Sequence, residues 1–154
     1  MPSSSVTITR PNNTTAYTAV DVVGPAVAAL EFSKVGSPDG EDLIITQASL
    51  RINDDALIAS EAGYKLHLYN VTPPSALADN APWDVPSGDR ASYLGSIDLT
   101  TPVDIGSTLY VEVQPNKQIR TLSGSLFAYL STTAAHTPEA ERVYVVTIQT
   151  KKAA

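Results

Sequence analysis

Two histidines, His67 and His136, are the side chains of this chain best suited to move protons near neutral pH. His67 stands between Leu66 and Leu68, which predicts a strand position facing the surface or a partner rather than a general base. His136 lies in a polar stretch. No serine occupies a G-x-S-x-G elbow. A Ser–His–Asp triad can be assembled from distant residues, but nothing in the spacing asks for one. The chain has no cysteine, which excludes a thiolate nucleophile, a disulfide and a cysteine-based zinc site.

The carboxylates deserve the same scrutiny. Asp79, Asp84 and Asp89 share one stretch with Trp83. Glycoside hydrolysis needs two carboxyl groups about 5–9.5 Å apart in an aromatic-lined cleft. The same residues close turns by bonding their own backbone, and Trp83 can pin such a loop to a sheet. Asp39-Gly40-Glu41-Asp42 and Asp54-Asp55 offer oxygens, but hard cations take six to eight ligands and the EF-hand spacing is absent. The N-x-[ST] triplets at Asn12, Asn13 and Asn70 read as chance matches. The expectation is a chain with no catalytic residues, no metal and no cofactor, hence not an enzyme.

The elements that position these residues follow a period of two. Val6 to Arg10 alternates and stops at Pro11-Asn12-Asn13, a strand closed by a turn. Asp21 to Val23 is a short extended piece ended by Gly24-Pro25. Ala26 to Phe32 fits either a strand or a weak helix. Leu43 to Ile52 is the longest strand, with Ile44, Thr46, Ala48, Leu50 and Ile52 on one face. Ala56 to Ala62 is a loop with at most one helical turn. In Tyr64 to Val71, Tyr64, Leu66 and Leu68 share a face opposite Lys65, His67 and Tyr69. Thr72 to Arg90 is a long proline-rich loop holding the single tryptophan; such loops are uncommon in compact domains. Strands resume at Ser92–Leu99, where Gly95 marks a bulge, and at Thr108–Val113, Ser123–Ser131 and Arg142–Thr150. A polar loop, Thr132 to Arg142, precedes the last.

About eight antiparallel strands without an amphipathic helix predict an all-β fold, a single β-sandwich or jelly-roll domain over residues 1–154. Residues 1–5 and 151–154 are expected to fray. At 154 residues a sizeable core is affordable. Charged residues are 17%, below the ~25% usual for soluble domains, while 31 residues are Ser or Thr. The net charge of −6, with no basic cluster beyond Lys151-Lys152, argues against nucleic acid as a partner. No apolar run approaches the ~20 residues of a membrane helix, and Met1 to Ser5 has no leader-like pattern. Most of the seven tyrosines are expected to face outward, as interface residues do.

Several stretches resemble a family of tailed-phage head decoration, or cement, proteins. They are Val6 to Tyr17 followed by Asp21-Val22-Val23-Gly24, then Leu66 to Asn70, Ala78 to Trp83, Asp89-Arg90 and Gly95 to Leu99. Order and spacing match over about residues 5 to 150. The resemblance implies a jelly roll on the exterior of a virion, assembled in the host cytoplasm. The implied partner is the major capsid protein of a tailed phage, with homo-oligomers (dimer or trimer) at capsid symmetry axes. Two contact regions are expected: an arm with Val6, Ile8, Arg10 and Tyr17, and a loop with Asp79, Asn80, Pro82, Trp83 and Arg90. The alternatives are a carbohydrate-binding jelly roll of a phage head or tail fibre and, with only two histidines against it, a cupin-like enzyme.

Overall fold

A computed structural model describes residues 2–25 and 29–154. Among them, eleven strands run β1 (Ser3–Thr9), β2 (Val22–Val23), β3 (Leu30–Phe32), β4 (Asp42–Ile52), β5 (Tyr64–Tyr69), β6 (Tyr93–Leu99), β7 (Val103–Asp104), β8 (Leu109–Val113), β9 (Lys117–Arg120), β10 (Leu126–Thr132) and β11 (Val143–Lys152). Eight have four residues or more. The first sheet has the order β1-β11-β4-β8-β7, with β9 on the remaining length of β4. The second has the order β2-β10-β5-β6, with β3 also on β10. All pairings are antiparallel. The chain crosses repeatedly between the sheets, and the resulting order is that of a jelly roll. Of the stretch Ala26 to Phe32, Leu30–Phe32 is a strand, and residues 26–28 lie outside the described part.

Alternation builds the core. Ile8, Ala48, Leu50, Ile52, Tyr144, Val146 and Ile148 from the first sheet meet Tyr64, Leu66, Leu68, Ala128 and Leu130 from the second, all fully buried. The long strand β4 departs from strict alternation. Gln47 faces Gln149 while Ile45 faces Thr150, which leaves Thr46 as an extra residue. Its hydroxyl donates to Gln149 O at 3.2 Å. This bulge turns Leu43 and Ile45 inward on one side of it and Ala48, Leu50 and Ile52 inward on the other. A second bulge lies where Leu68 faces Gly95 and Tyr69 faces Tyr93. Gly95 has φ +94° there, a conformation a side chain would strain.

The ends hold more order than their composition suggests. β1 begins at Ser3 and β11 continues to Lys152, which pairs with Leu43; Ala153 N donates to Asp42 O at 2.9 Å. The segments expected to fray are thus largely inside the ladder. The Ala56–Ala62 stretch forms turns only, and the one helical piece of the 72–90 loop is a single 3-10 turn at Ser87–Asp89.

Candidate functional site

The residues expected to meet a partner come together, but mostly inside the molecule. Arg10, Tyr17 and Asp79 form one buried knot at an end of the sandwich. Arg10 Nη2 donates to Asp79 Oδ2 at 3.1 Å, Arg10 Nε to the Tyr17 hydroxyl at 2.5 Å, and that hydroxyl to Asp79 Oδ1 at 2.6 Å. Arg10 Nη1 also reaches Asn13 O and Glu139 O. Burial opposes the Arg10 charge, yet Tyr17 and Asp79 outweigh it and hold its pKa raised. Burial, then Asp79, pushes the Tyr17 pKa up. Ile8, Arg10 and Tyr17 are thus interior residues, and Asp79 is tied to them. They cannot serve as contact residues, because opening them would strand a buried charge. Val6 is half-buried against the core edge. Asn80 is half-buried and donates through Nδ2 to Ala16 O at 3.0 Å. Pro82 and Arg90 are exposed.

A second knot secures the opposite strands. Arg142 forks onto Glu61 at 2.7 and 3.0 Å and reaches Asp54 at 2.9 Å; the Tyr64 hydroxyl donates to Glu61. Burial alone would raise the Glu61 pKa, but bonds from Arg142, Tyr64 and the Ile58 N–H hold it low. His136 lies between the knots, edge-on to Tyr17 and Tyr64, with Nε2 unpartnered. Burial lowers its pKa.

Trp83 closes a separate cluster. Its ring stacks on His67 at 3.5 Å between centroids, and Nε1 donates to the Tyr69 hydroxyl at 3.1 Å. The Tyr129 hydroxyl donates to Ser75 O and accepts from Leu77 N–H, both at 3.1 Å. The 72–90 loop therefore lies over the outer face of the second sheet and builds a second small core with Val22, Tyr69 and Tyr129. His67 is covered rather than surface-facing, and burial with a smaller push from Lys65 lowers its pKa to about 4. Five tyrosines, at positions 17, 64, 69, 129 and 144, are buried. The expectation of outward tyrosines fails because four of these hydroxyls find charged partners or loop backbone, and the fifth, on Tyr69, accepts from Trp83.

The outer face of the first sheet is different. The described chain leaves it open. One row across it is Thr7–Val145–Arg51–Tyr110–Val103, the next Ser5–Thr147–Ser49–Glu112, the next Ser3–Gln149–Gln47. All but Ser49 are exposed or half-exposed, and only Arg51 and Glu112 are charged. Gln47 Nε2 and the Tyr110 hydroxyl donate to Glu112 Oε2 at 2.7 and 3.1 Å; the Ser5 and Thr147 hydroxyls lie 2.7 Å apart. The sequence signal for this surface is the Ser/Thr alternation of β1, with Ser3, Ser5, Thr7 and Thr9 at the exposed positions.

Two shallow clefts also lie on the described surface. The larger, about 370 Å³, is lined by Ser96, Ile97, Asp98, Val113 to Pro115 and Lys117, and the other, about 300 Å³, by residues including Glu31, Phe127 and Tyr129. Each contains a single carboxylate and no histidine. Among the described residues, no three His, Asp or Glu side chains gather as ligands of one cation would.

No protein-family model matches this chain, and no curated protein does. Among solved structures, it is similar to the native virion of Kashmir bee virus at neutral pH, with a TM-score of 0.36, 8% identity, 96% of this chain and 67% of that chain covered. It is similar to the EclA C-terminal domain, a sugar-binding protein, with a TM-score of 0.32, 10% identity, 98% and 79% covered. A carbohydrate-binding module specific for non-crystalline cellulose, CBM28, gives a TM-score of 0.31, 14% identity, 96% and 73% covered.

Proposed function

We propose that this chain is a structural virion component, a head decoration protein of a tailed phage. It lays the open face of its first sheet on the major capsid protein at the shell exterior. The observation that carries this reading is that face: broad, rich in hydroxyls and amides, with only Arg51 and Glu112 charged in the three rows described above. Neutral hydroxyls and amides cost less to desolvate than charges do, and a partner that supplies their hydrogen bonds offsets that cost. Tyr110 and Arg51, side by side at its middle, are of the residue types that anchor interfaces. The mechanism is mass action: a protein that binds only the assembled lattice stabilises it. The loop with Pro82 and Arg90 supplies a lesser contact. Trp83 contributes by holding that loop down, since one face of its ring is already on His67.

The second reading is a carbohydrate-binding module of a phage head or fibre. Tyr110 favours it, as a half-exposed ring next to Gln47 and Glu112, a set that could stack on and bond a sugar. Co-sedimentation with shells of the major capsid protein tests the first reading and a glycan array the second. Saturable sedimentation of the wild type, lost in Tyr110→Ala with Arg51→Glu, supports decoration. No sedimentation, with a specific glycan signal lost in Tyr110→Ala, replaces it by the carbohydrate reading.

A further inference from the structure

β1 is an end strand of the first sheet, and the backbone bonds flanking its ladder determine which of its groups have no partner among the described residues. Arg10 N donates to Arg142 O at 3.1 Å at one end, and Thr150 N to Pro2 O at 3.0 Å at the other. The register between them is unbroken. In an antiparallel pair, bonded and non-bonded positions alternate. The even-numbered residues of β1 therefore hold β11. The N–H and C=O of Ser3, Ser5, Thr7 and Thr9 point away from the sheet. Edge strands are normally blunted by lysine, proline, a bulge or extreme shortness. Ser3–Thr9 has seven residues and none of these devices.

We propose that β1 pairs with β1 of a second copy, antiparallel, about a two-fold axis at Val6. That register puts Ser3 opposite Thr9 of the second copy and Ser5 opposite its Thr7. All four free residues then sit at bonded positions, giving about eight backbone hydrogen bonds. Shifting the register by two residues in either direction leaves an end residue unpaired. Val6, half-buried at the sheet edge, meets Val6 of the second copy at a non-bonded position, where side chains approach most closely. The contact is isologous, so it closes as a dimer.

Charge complements this register. Lys151 and Lys152 lie at the end of β11 beside the start of β1. Glu139 and Glu141 lie at its other end, where Glu141 N donates to Pro11 O and Glu139 O accepts from Arg10. All four side chains are exposed. The two-fold axis brings the basic end of each copy beside the acidic loop of the other. The strand itself carries no charge, so a net charge of −6 per chain adds no repulsion along the contact. The pairing would join the two first sheets, and their open faces, into one surface. It stands or falls independently of what that surface binds.

Sedimentation velocity of the purified chain over a concentration series tests it. The wild type is expected at twice the chain mass of 16.3 kDa. Thr7→Pro removes one outward N–H and no bond to β11. Ser5→Lys with Thr7→Lys sets ammonium groups directly across from each other. Each is expected to weaken dimerisation at least roughly tenfold, with far-UV circular dichroism unchanged. The lysine pair, at two exposed positions, decides the matter if the proline variant misfolds. Val103→Lys, on the opposite edge strand β7, is expected to leave the dimer intact. A wild type that stays monomeric, or a dimer that survives the lysine pair, or one that Val103→Lys alone dissociates, overturns the proposal.

Discussion

Acid should loosen this protein through His67 in a calculable way. The imidazole is stacked under Trp83, 2.9 Å from Ser131 Oγ and 3.4 Å from the Tyr93 hydroxyl. Burial, aided by Lys65, lowers its pKa to about 4, against about 6.5 in an unfolded chain. The unfolded state therefore takes up a proton first as the pH falls. The stabilisation is complete above pH ~6.5 and is lost on descending toward 4. The loss amounts to about 1.4 kcal/mol at pH 5.5 and about 3 kcal/mol at pH 4. Carboxylates and His136 add their own pH dependence, so the informative quantity is a difference. Urea unfolding of the wild type and of His67→Gln, followed at pH 7.5, 5.5 and 4, isolates it. The wild type should lose stability more steeply than the variant by those amounts. Trp83 is the only tryptophan, so its fluorescence reports directly on the stack and should be quenched as His67 protonates in the folded state. Parallel pH profiles for the two proteins would refute this account of the cluster, as would an NMR titration placing the His67 pKa near 6.5.

Three further outcomes are expected. Arg10→Ala should cost about 3–5 kcal/mol in urea unfolding, because it leaves Asp79 buried without its partner; a cost below 1 kcal/mol would mean that the knot is solvated. Trp83→Ala should make the 72–90 loop the first site of limited proteolysis while the sandwich persists, and a global loss of fold would show the loop to be integral to it. Leu50→Ala, at a fully buried position between the sheets, should cost about 2–5 kcal/mol, read from the urea midpoint at constant m-value.

The architecture was legible because apolar and polar residues alternate cleanly where strands have one wet face. β8 and β11 show this directly. It was less legible where a bulge resets the phase, as at Thr46, because a period-two pattern carries no sign of an inserted residue. The site was harder to see. Arg10 and Asp79 are charged, and charge reads as surface; only the fold reveals that they neutralise each other 69 residues apart. Tyr129 and His67 look outward in their strands, and they are, but the 72–90 loop returns to cover them. No local pattern announces such a cover, although the lone tryptophan hinted at it. The open face was written in residues that attract little notice, the serines and threonines of β1 and β11.

The central claim is that the open face of the first sheet docks on a capsid lattice. The most direct measurement is co-sedimentation of the wild type and of Val145→Lys with Thr147→Lys with shells assembled from a tailed-phage major capsid protein. Both substitutions fall on β11, one strand in from the free edge of β1, at half-exposed positions that face away from the core. The account predicts saturable binding and greater shell survival on heating with the wild type, and loss of both with the variant at unchanged thermal stability of the free protein. Equal binding by the variant, or no binding by the wild type, would contradict it.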